Sequence, residues 1–393
     1  MNDKIGRVCV VSDDYPSENY PVYVFVEQLV SALVDMGEDI CVVAPQSLTK
    51  ALIRHVPLRP QFQIYYTCNH NKYKVYRPYI LTFGKGRKWI YHLVNRINQW
   101  SIEVNVKKIA PSILYAHFWN NALRILKYAV GNNVNTFVAC GEGDNTIEEI
   151  MESLSAVEKQ KLVMAVKGVI SVSAENKRKC QYYGLASGHD MIVLPNAVNS
   201  SLFSPRKKNV GLRRKLGVND NDFLLIFVGG FIPRKGCGIL AKAIDNINDS
   251  HVKVMFVGAT MPGDEDDPHC QGIVYKGKLS HDKLPDYYAC ADVFVLPTQK
   301  EGCSNAIVEA LAMGLPVISS TGAFNDDILN ESNSIRINPT DVDELANAIM
   351  RLRDDVGLRK RLSAGALESA KSLTIDKRAE KIMMFIRQQI EKC

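Results

Sequence analysis

Asp292-Val293-Phe294-Val295-Leu296-Pro297, then Lys300-Glu301-Gly302-Cys303-Ser304-Asn305-Ala306-Ile307-Val308-Glu309-Ala310-Leu311-Ala312-Met313-Gly314-Leu315-Pro316-Val317, is the stretch whose reading decides the fold. Val293 to Leu296 is an apolar strand, Gly302 to Asn305 a turn, and the following residues a helix closed by Gly314 and Pro316. The first amides of such a helix lack intrahelical partners and carry the positive end of its dipole, which suits a diphosphate. Glu301 and Glu309 flank that position. A carboxylate beside a bound diphosphate is repelled unless it faces neutral hydroxyls, so both glutamates read as acceptors for sugar and ribose OH groups, not as metal ligands. Taken alone, the spacing favours a plainer reading, with Glu309 a solvated helix residue and Glu301 a carboxylate complementing the dipole.

The run Gly277-Lys278-Leu279 and then Leu284-Pro285-Asp286-Tyr287-Tyr288-Ala289-Cys290-Ala291 leads into this unit. Together with the two glutamates eight positions apart, it resembles the C-terminal half of retaining GT-B glycosyltransferases of family 4, whose signature is Glu, seven residues, Glu. The resemblance extends through most of the chain. It implies an α/β fold of two Rossmann-like doubly wound domains facing across a cleft, with a nucleotide-diphosphate sugar as donor and no metal or other cofactor. By the same resemblance Glu309 holds the ribose and Glu301, a candidate catalytic residue, the donor sugar.

Working outward, strand, loop and helix units recur from the N-terminus: Ile5 to Val11 as a strand, Phe25 to Met36 as a helix, Asp39 to Ala44 as the next strand. Ile113 to His117, Asn135 to Ala139, Gly168 to Val172 and Met191 to Asn196 continue the series. Arg206 to Lys215 reads as a basic connector. A second series has strands at Phe223 to Val228, Val252 to Val257, Gly272 to Tyr275, Val293 to Leu296 and Val317 to Ser319. Residues 1–200 are therefore expected to form an acceptor-binding domain and 201–374 the nucleotide-sugar domain. The final helix, about 375–393, is expected by analogy to pack back on the first.

Phe227-Val228-Gly229-Gly230-Phe231-Ile232-Pro233-Arg234-Lys235-Gly236 follows a strand and precedes a helix, so Gly229 and Gly230 allow close backbone approach while Arg234 and Lys235 offer cations to phosphate. Similar glycosyltransferases carry an Arg soon after the first Gly and a Lys before the last. Lys235 matches, the Arg position is Gly230 here, and Arg234 is the candidate substitute. Cys303, Ser304 and Asn305 complete the expected donor site. His117 ends a strand, where the resemblance implies a residue beside the donor sugar, and is the second candidate catalytic residue; a satisfied structural histidine is the alternative. Gly141-Glu142-Gly143-Asp144-Asn145 reads either as acceptor-side or as the cap of the next helix. Asp13, Asp14 and Tyr23 are weaker candidates. The first strand lacks G-x-G-x-x-G, which argues against a nicotinamide enzyme.

With 393 residues, 46% hydrophobic and 23% charged, the chain can fill two cores. Its ten cysteines show neither paired metal-ligand nor redox spacing, so structural disulfides and zinc are not expected. No apolar run approaches the roughly 20 residues of a membrane span, and the short apolar start does not read as a signal peptide, so a cytoplasmic protein is expected. The net charge of +6 conceals an asymmetry. Between Ser47 and Lys108 twelve Lys and Arg meet one acid, giving 12 − 1 = +11, so the remainder carries 6 − 11 = −5. Ten aromatics lie in the same stretch, and Trp89, Leu93, Ile97 and Trp100 follow helical spacing beside Arg87, Lys88 and Arg96. Leu93 and Ile97 are expected to cover the first domain's sheet. The charge suits an anionic membrane surface or a polyprenyl-linked acceptor; no nucleic-acid-binding pattern accompanies it. A glycosyltransferase acting on a glycan or lipid-linked acceptor, in surface polysaccharide or glycolipid assembly, is the expected function. A nucleotide-sugar epimerase and a non-catalytic nucleotide-sugar-binding protein are the alternatives.

Overall fold

The computed structural model describes residues 5–18, 20–82, 88–143, 146–186, 190–261 and 263–392. Two compact units emerge. The first comprises Met1–Val172, Asn176–Leu194 and Asp376–Cys393; the second comprises Ser173–Glu175 and Pro195–Ile375.

Among the described residues the first unit has ten strands: β1 (Val8–Val11), β2 (Ile40–Val43), β3 (Gln46–Ser47), β4 (Phe62–Tyr66), β5 (Lys72–Tyr76), β6 (Tyr79–Ile80), β7 (Ile113–His117), β8 (Asn135–Cys140), β9 (Val166–Ser171) and β10 (Met191–Val193). Eight form one sheet in the order 10-9-8-7-1-2-5-4, with β3 and β6 paired separately. All neighbours in the large sheet run parallel except the β4–β5 hairpin. Continuous apolar burial of β1, β2 and β7 is what a sheet covered on both faces requires. From Asp376 onward the helix Ile375–Glu391 belongs to this unit: Phe385 meets Phe137 edge-on at 6.4 Å, and Arg387 pairs with Glu38.

The second unit adds β11 (Phe223–Val228), β12 (Val252–Val257), β13 (Ile273–Gly277), β14 (Val293–Leu296), β15 (Val317–Ser320) and β16 (Ser334–Ile337) in the order 13-12-11-14-15-16, all parallel. Strand order reverses between β11 and β14, and in the first unit between β1 and β7. Loops diverge at such points and leave a crevice at the carboxyl ends of the strands. The loops after β11 and β14 carry the glycine-rich block and the Glu301 turn; those after β1 and β7 carry Asp13, Asp14 and Phe118.

Two expectations are corrected. The basic connector contains a helix, Val210–Lys215, because Asn209 caps it by accepting from the Leu212 amide at 3.0 Å. Arg213 then turns inward, buried, donating to the carbonyls of Cys290 (2.7 Å) and Asp222 (2.9 Å). In the helix Lys88–Ile109, Leu93 and Ile97 do not cover the sheet; both are exposed, as is Trp100. Ile102, Val106 and Ile109 pack into the core instead. At 100° per residue, nine positions separate Leu93 from Ile102 by about 180°, so the two stripes lie on opposite sides of the helix. Phe83, Lys85 and Arg87, and the side chains of Arg54, Lys88, Trp89 and Tyr91, lie outside what the structure describes.

Candidate functional site

Gly236 fixes the approach of the two loops at the β11–β14 crossing. Its φ is +74°, and a Cβ there would lie 2.3 Å from the Pro297 carbonyl oxygen. Only glycine combines that dihedral with that contact. Gly229 and Gly230 are different: an added Cβ would meet Phe227 at 3.4 Å and Met261 at 3.5 Å, ordinary packing distances. The chain's own packing therefore requires glycine at Gly236 and leaves space for a side chain at Gly229 and Gly230.

Across this junction Lys235 Nζ pairs with Glu301 Oε1, which also accepts from Thr298 Oγ1 at 2.9 Å. Arg234 donates to the Lys300 carbonyl and lies 3.7 Å from Glu301 Oε2. The structure thus brings three candidates from two loops into one cluster. Lys235 has three N–H donors, of which Glu301 takes one among the described residues.

The two helix starts beside the cluster differ. Cys237–Ile247 is closed off by the Asp266 carboxylate, which accepts from the Gly238 amide at 3.0 Å. Asn305–Ala312 is capped by the neutral Ser304 hydroxyl, which accepts from Ile307 at 3.5 Å. Cys303 is held by Asn196: its carbonyl accepts from Asn196 Nδ2 at 2.9 Å and its sulfur from the Asn196 amide at 3.4 Å. Asn305 Oδ1 is buried without a hydrogen-bond partner among the described residues.

Glu309 is buried, which removes its plainer reading as a solvated helix residue. Tyr288 donates to Oε2 at 2.9 Å, and His281 Nε2 lies 3.1 Å from Oε1. Burial, then the neighbouring Glu309 charge, pushes the Tyr288 phenol well above its ordinary pKa, so it stays a donor. A carboxylate has about four acceptor positions, and these two partners occupy two of them. Sequence reading missed Tyr288, His281, Thr298 and Asp266. Tyr288 alone carried a signal, as an aromatic just before the strand that presents Glu301.

In the first unit His117 is buried at the end of β7, followed by Phe118 at φ +85°. That dihedral is strained for a bulky residue, and it turns the chain sharply into the helix Trp119–Asn132. Glu142 reaches back to the start of the preceding helix. Its Oε1 accepts from the Trp119 amide at 2.9 Å and its Oε2 from the Gly141 amide at 3.0 Å, so it caps the start of the helix after β7. Asp144 and Asn145 of that motif lie outside the described residues.

Burial, and secondarily the Arg378 charge, pushes the His117 imidazole down to about 3. It is neutral at physiological pH and a poor general base. Because the folded value lies below the unfolded value of about 6.5, the unfolded chain takes up a proton that the folded one refuses. Stability from this source is present above about pH 6.5 and lost as pH falls toward 3. The drop in urea midpoint between pH 7 and pH 4.5 should therefore be smaller in His117→Asn than in wild type; equal drops would mean the imidazole is not held neutral.

Comparison with known proteins identifies the fold. The two Rossmann-like units are those of the GT-B glycosyltransferase fold: sucrose-phosphate synthase from Thermosynechococcus elongatus superposes with a TM-score of 0.77 at 18% identity, over 98% of this chain and 100% of that one. Residues 222–355 match the family model of glycosyl transferases group 1. A Bacillus subtilis (strain 168) protein named for teichuronic acid biosynthesis as a glycosyltransferase is 25% identical over 371 residues, 88% of each chain. An Escherichia coli alpha-1,3-galactosyltransferase, named for UDP-Gal and GlcNAc-diphosphoundecaprenol, is 28% identical over 198 residues, 48% of this chain and 51% of its own. Fold and sequence likeness together support a GT-B glycosyltransferase.

Proposed function

We propose that this protein is a retaining glycosyltransferase of family 4 that moves a sugar from a nucleotide-diphosphate donor to a hydroxyl of a glycan or polyprenyl-linked acceptor, in surface polysaccharide or glycolipid assembly. The observation that carries the reading is the meeting of Lys235, Glu301 and Arg234 beside a helix start whose cap is neutral. Lys235 and the first amides of the helix Asn305–Ala312 stabilise charge on the departing diphosphate, the part a metal would otherwise play. Glu301 contacts the donor sugar, and Glu309 the ribose. The acceptor oxygen bonds to the anomeric carbon as the bond to phosphate oxygen breaks, with the acceptor proton passing to the leaving diphosphate. Attack on the same face retains configuration.

The test is a thermal-stability screen with UDP, GDP, ADP, CMP and dTDP and their sugars in EDTA, followed by transfer to candidate acceptors with the nucleotide that binds. A stabilised complex and transfer without added metal are expected. Conversion of the donor to an isomer without acceptor would point to an epimerase; binding with neither reaction would point to a non-catalytic protein.

The acceptor side includes a membrane surface in this reading. No helix among the described residues is long and apolar enough to cross a bilayer. Leu52 and Ile53 are 78% and 74% exposed on the helix Leu48–Arg54, and Trp100 is 67% exposed on Lys88–Ile109. Both helices are tied to one segment, Thr49 Oγ1 donating to the Thr82 carbonyl at 2.6 Å and Asn98 Nδ2 to the Leu81 carbonyl at 2.7 Å. Exposed apolar side chains in a stretch of charge +11 fit the inner, anionic leaflet, where each basic residue contributes about 1 kcal/mol. Flotation with phosphatidylglycerol vesicles should be lost in Leu52→Asp/Ile53→Asp; binding equal to wild type would remove this helix as the anchor.

A further inference from the structure

At the other strand-order reversal, in the first unit, lies a cavity of about 250 Å³ whose lining includes Asp13, Asp14, Tyr23, Lys50, Arg59 and Arg124. Its charges are specifically arranged. Arg59, only 9% exposed, donates through Nη1 to Asp14 Oδ1 at 2.7 Å and to the Tyr15 carbonyl at 2.9 Å. Its guanidinium carbon lies 4.8 Å from the centre of the Tyr20 ring, which also borders the cavity. Arg124 pairs with Asp13 and is steadied by Asn121 Oδ1 at 2.8 Å. Each carboxylate is thereby answered by one guanidinium.

Two cationic donors are left over. Arg59 Nε is buried with no hydrogen-bond partner among the described residues, an arrangement that costs stability unless a ligand or water completes it. Lys50 enters from the helix Leu48–Arg54, and no ion pair engages it among the described residues. The cavity therefore carries three cations against two carboxylates. Arginine-held carboxylates accept sugar hydroxyls, tyrosine rings cover sugar faces, and unmatched cations call for an anion.

We propose that this cavity is the acceptor site and that it selects a saccharide bearing an acidic group, with Lys50 and Arg59 on the anion and Asp13 and Asp14 on neighbouring hydroxyls. The assignment rests on the reading of the chain as a glycosyltransferase. The acid is either a sugar carboxylate or a phosphate ester, the shared chemistry being a cluster of anionic oxygens. The helix that supplies Lys50 also carries exposed Leu52 and Ile53, so the cavity wall and the apolar surface are one element.

Calorimetric titration of the full chain with methyl glucuronide, N-acetylglucosamine 1-phosphate and uncharged methyl glucoside tests this, with UDP titrated in parallel. At least one acidic probe is expected to bind about tenfold more tightly than methyl glucoside, the worth of one charge-assisted contact. Lys50→Gln should erase most of that preference and leave UDP affinity unchanged. Lys50 is exposed, so the variant folds, and its circular dichroism verifies this. Preference for the uronide alone identifies a sugar acid, and for the phosphate alone a phosphate ester. Equal binding of charged and neutral probes, binding of UDP but of no saccharide, or an unchanged preference in Lys50→Gln would each overturn the proposal. Retained selection of the acidic probe with no nucleotide bound would instead sink the transferase reading and leave the site.

Discussion

Replacing Lys235 with alanine is expected to lower kcat/KM for sugar transfer by about two to three orders of magnitude, the usual cost of removing one donor from a developing oxyanion. The loss should fall on kcat as well as on donor affinity, because charge on the diphosphate grows as the glycosidic bond breaks. Folding should suffer less, since Glu301 retains Thr298 as a donor at 2.9 Å and Arg234 at 3.7 Å. Glu301→Gln separates the two roles of the pair. It keeps an acceptor for Thr298 but frees Lys235 from its ion pair, so donor affinity should hold or rise while transfer still falls. If Lys235 served only to neutralise Glu301, the variant carrying both changes would match Glu301→Gln in every respect and nucleotide affinity would not change. Steady-state kinetics and nucleotide titration on the four proteins decide between these outcomes.

Glu309→Ala is expected to weaken nucleotide binding about ten- to a hundredfold and to destabilise the second unit by about 2 kcal/mol. The structural part arises because the Tyr288 hydroxyl, wholly buried, would keep only the longer contact to the Ala306 carbonyl at 3.3 Å, and His281 would lose its partner. Glu309→Gln isolates the ribose part. The amide oxygen still accepts from Tyr288, so thermal stability should return to near wild type while nucleotide affinity recovers only in part. Were the alanine variant to bind the nucleotide as tightly as wild type, Glu309 would be a packing residue and its assignment to ribose would fall.

How far the sequence foretold this depends on the range of the interaction. Strands Phe223–Val228, Val252–Val257 and Val293–Leu296 were legible to the residue because an apolar run between polar turns has one sensible reading in a parallel sheet. The hairpin Phe62–Tyr66 with Lys72–Tyr76 was not, since β4 is almost wholly exposed and carries no inside-outside alternation. The spacing from Glu301 to Glu309 was visible, but their partners were not: Lys235 lies 66 positions before Glu301, and His281 28 before Glu309. Such pairs are set by strand order, which local pattern does not encode. The helix Lys88–Ile109 shows the opposite failure, where a regular apolar stripe was legible but which of two stripes faced inward was decided by the rest of the unit.

The Asp266 carboxylate at the start of the helix Cys237–Ile247 has a further consequence. Two parallel strands at a sheet crossing deliver two helix starts side by side, and a pyrophosphate has two nearly equivalent ends. Were both starts alike, the ligand could lie across them in either direction, and half the bound molecules would present their sugar to the wrong side. By occupying one start with an internal anion, the chain breaks that symmetry before any ligand arrives. On the proposed reading, the direction in which a donor lies is then set by the protein's own side chains.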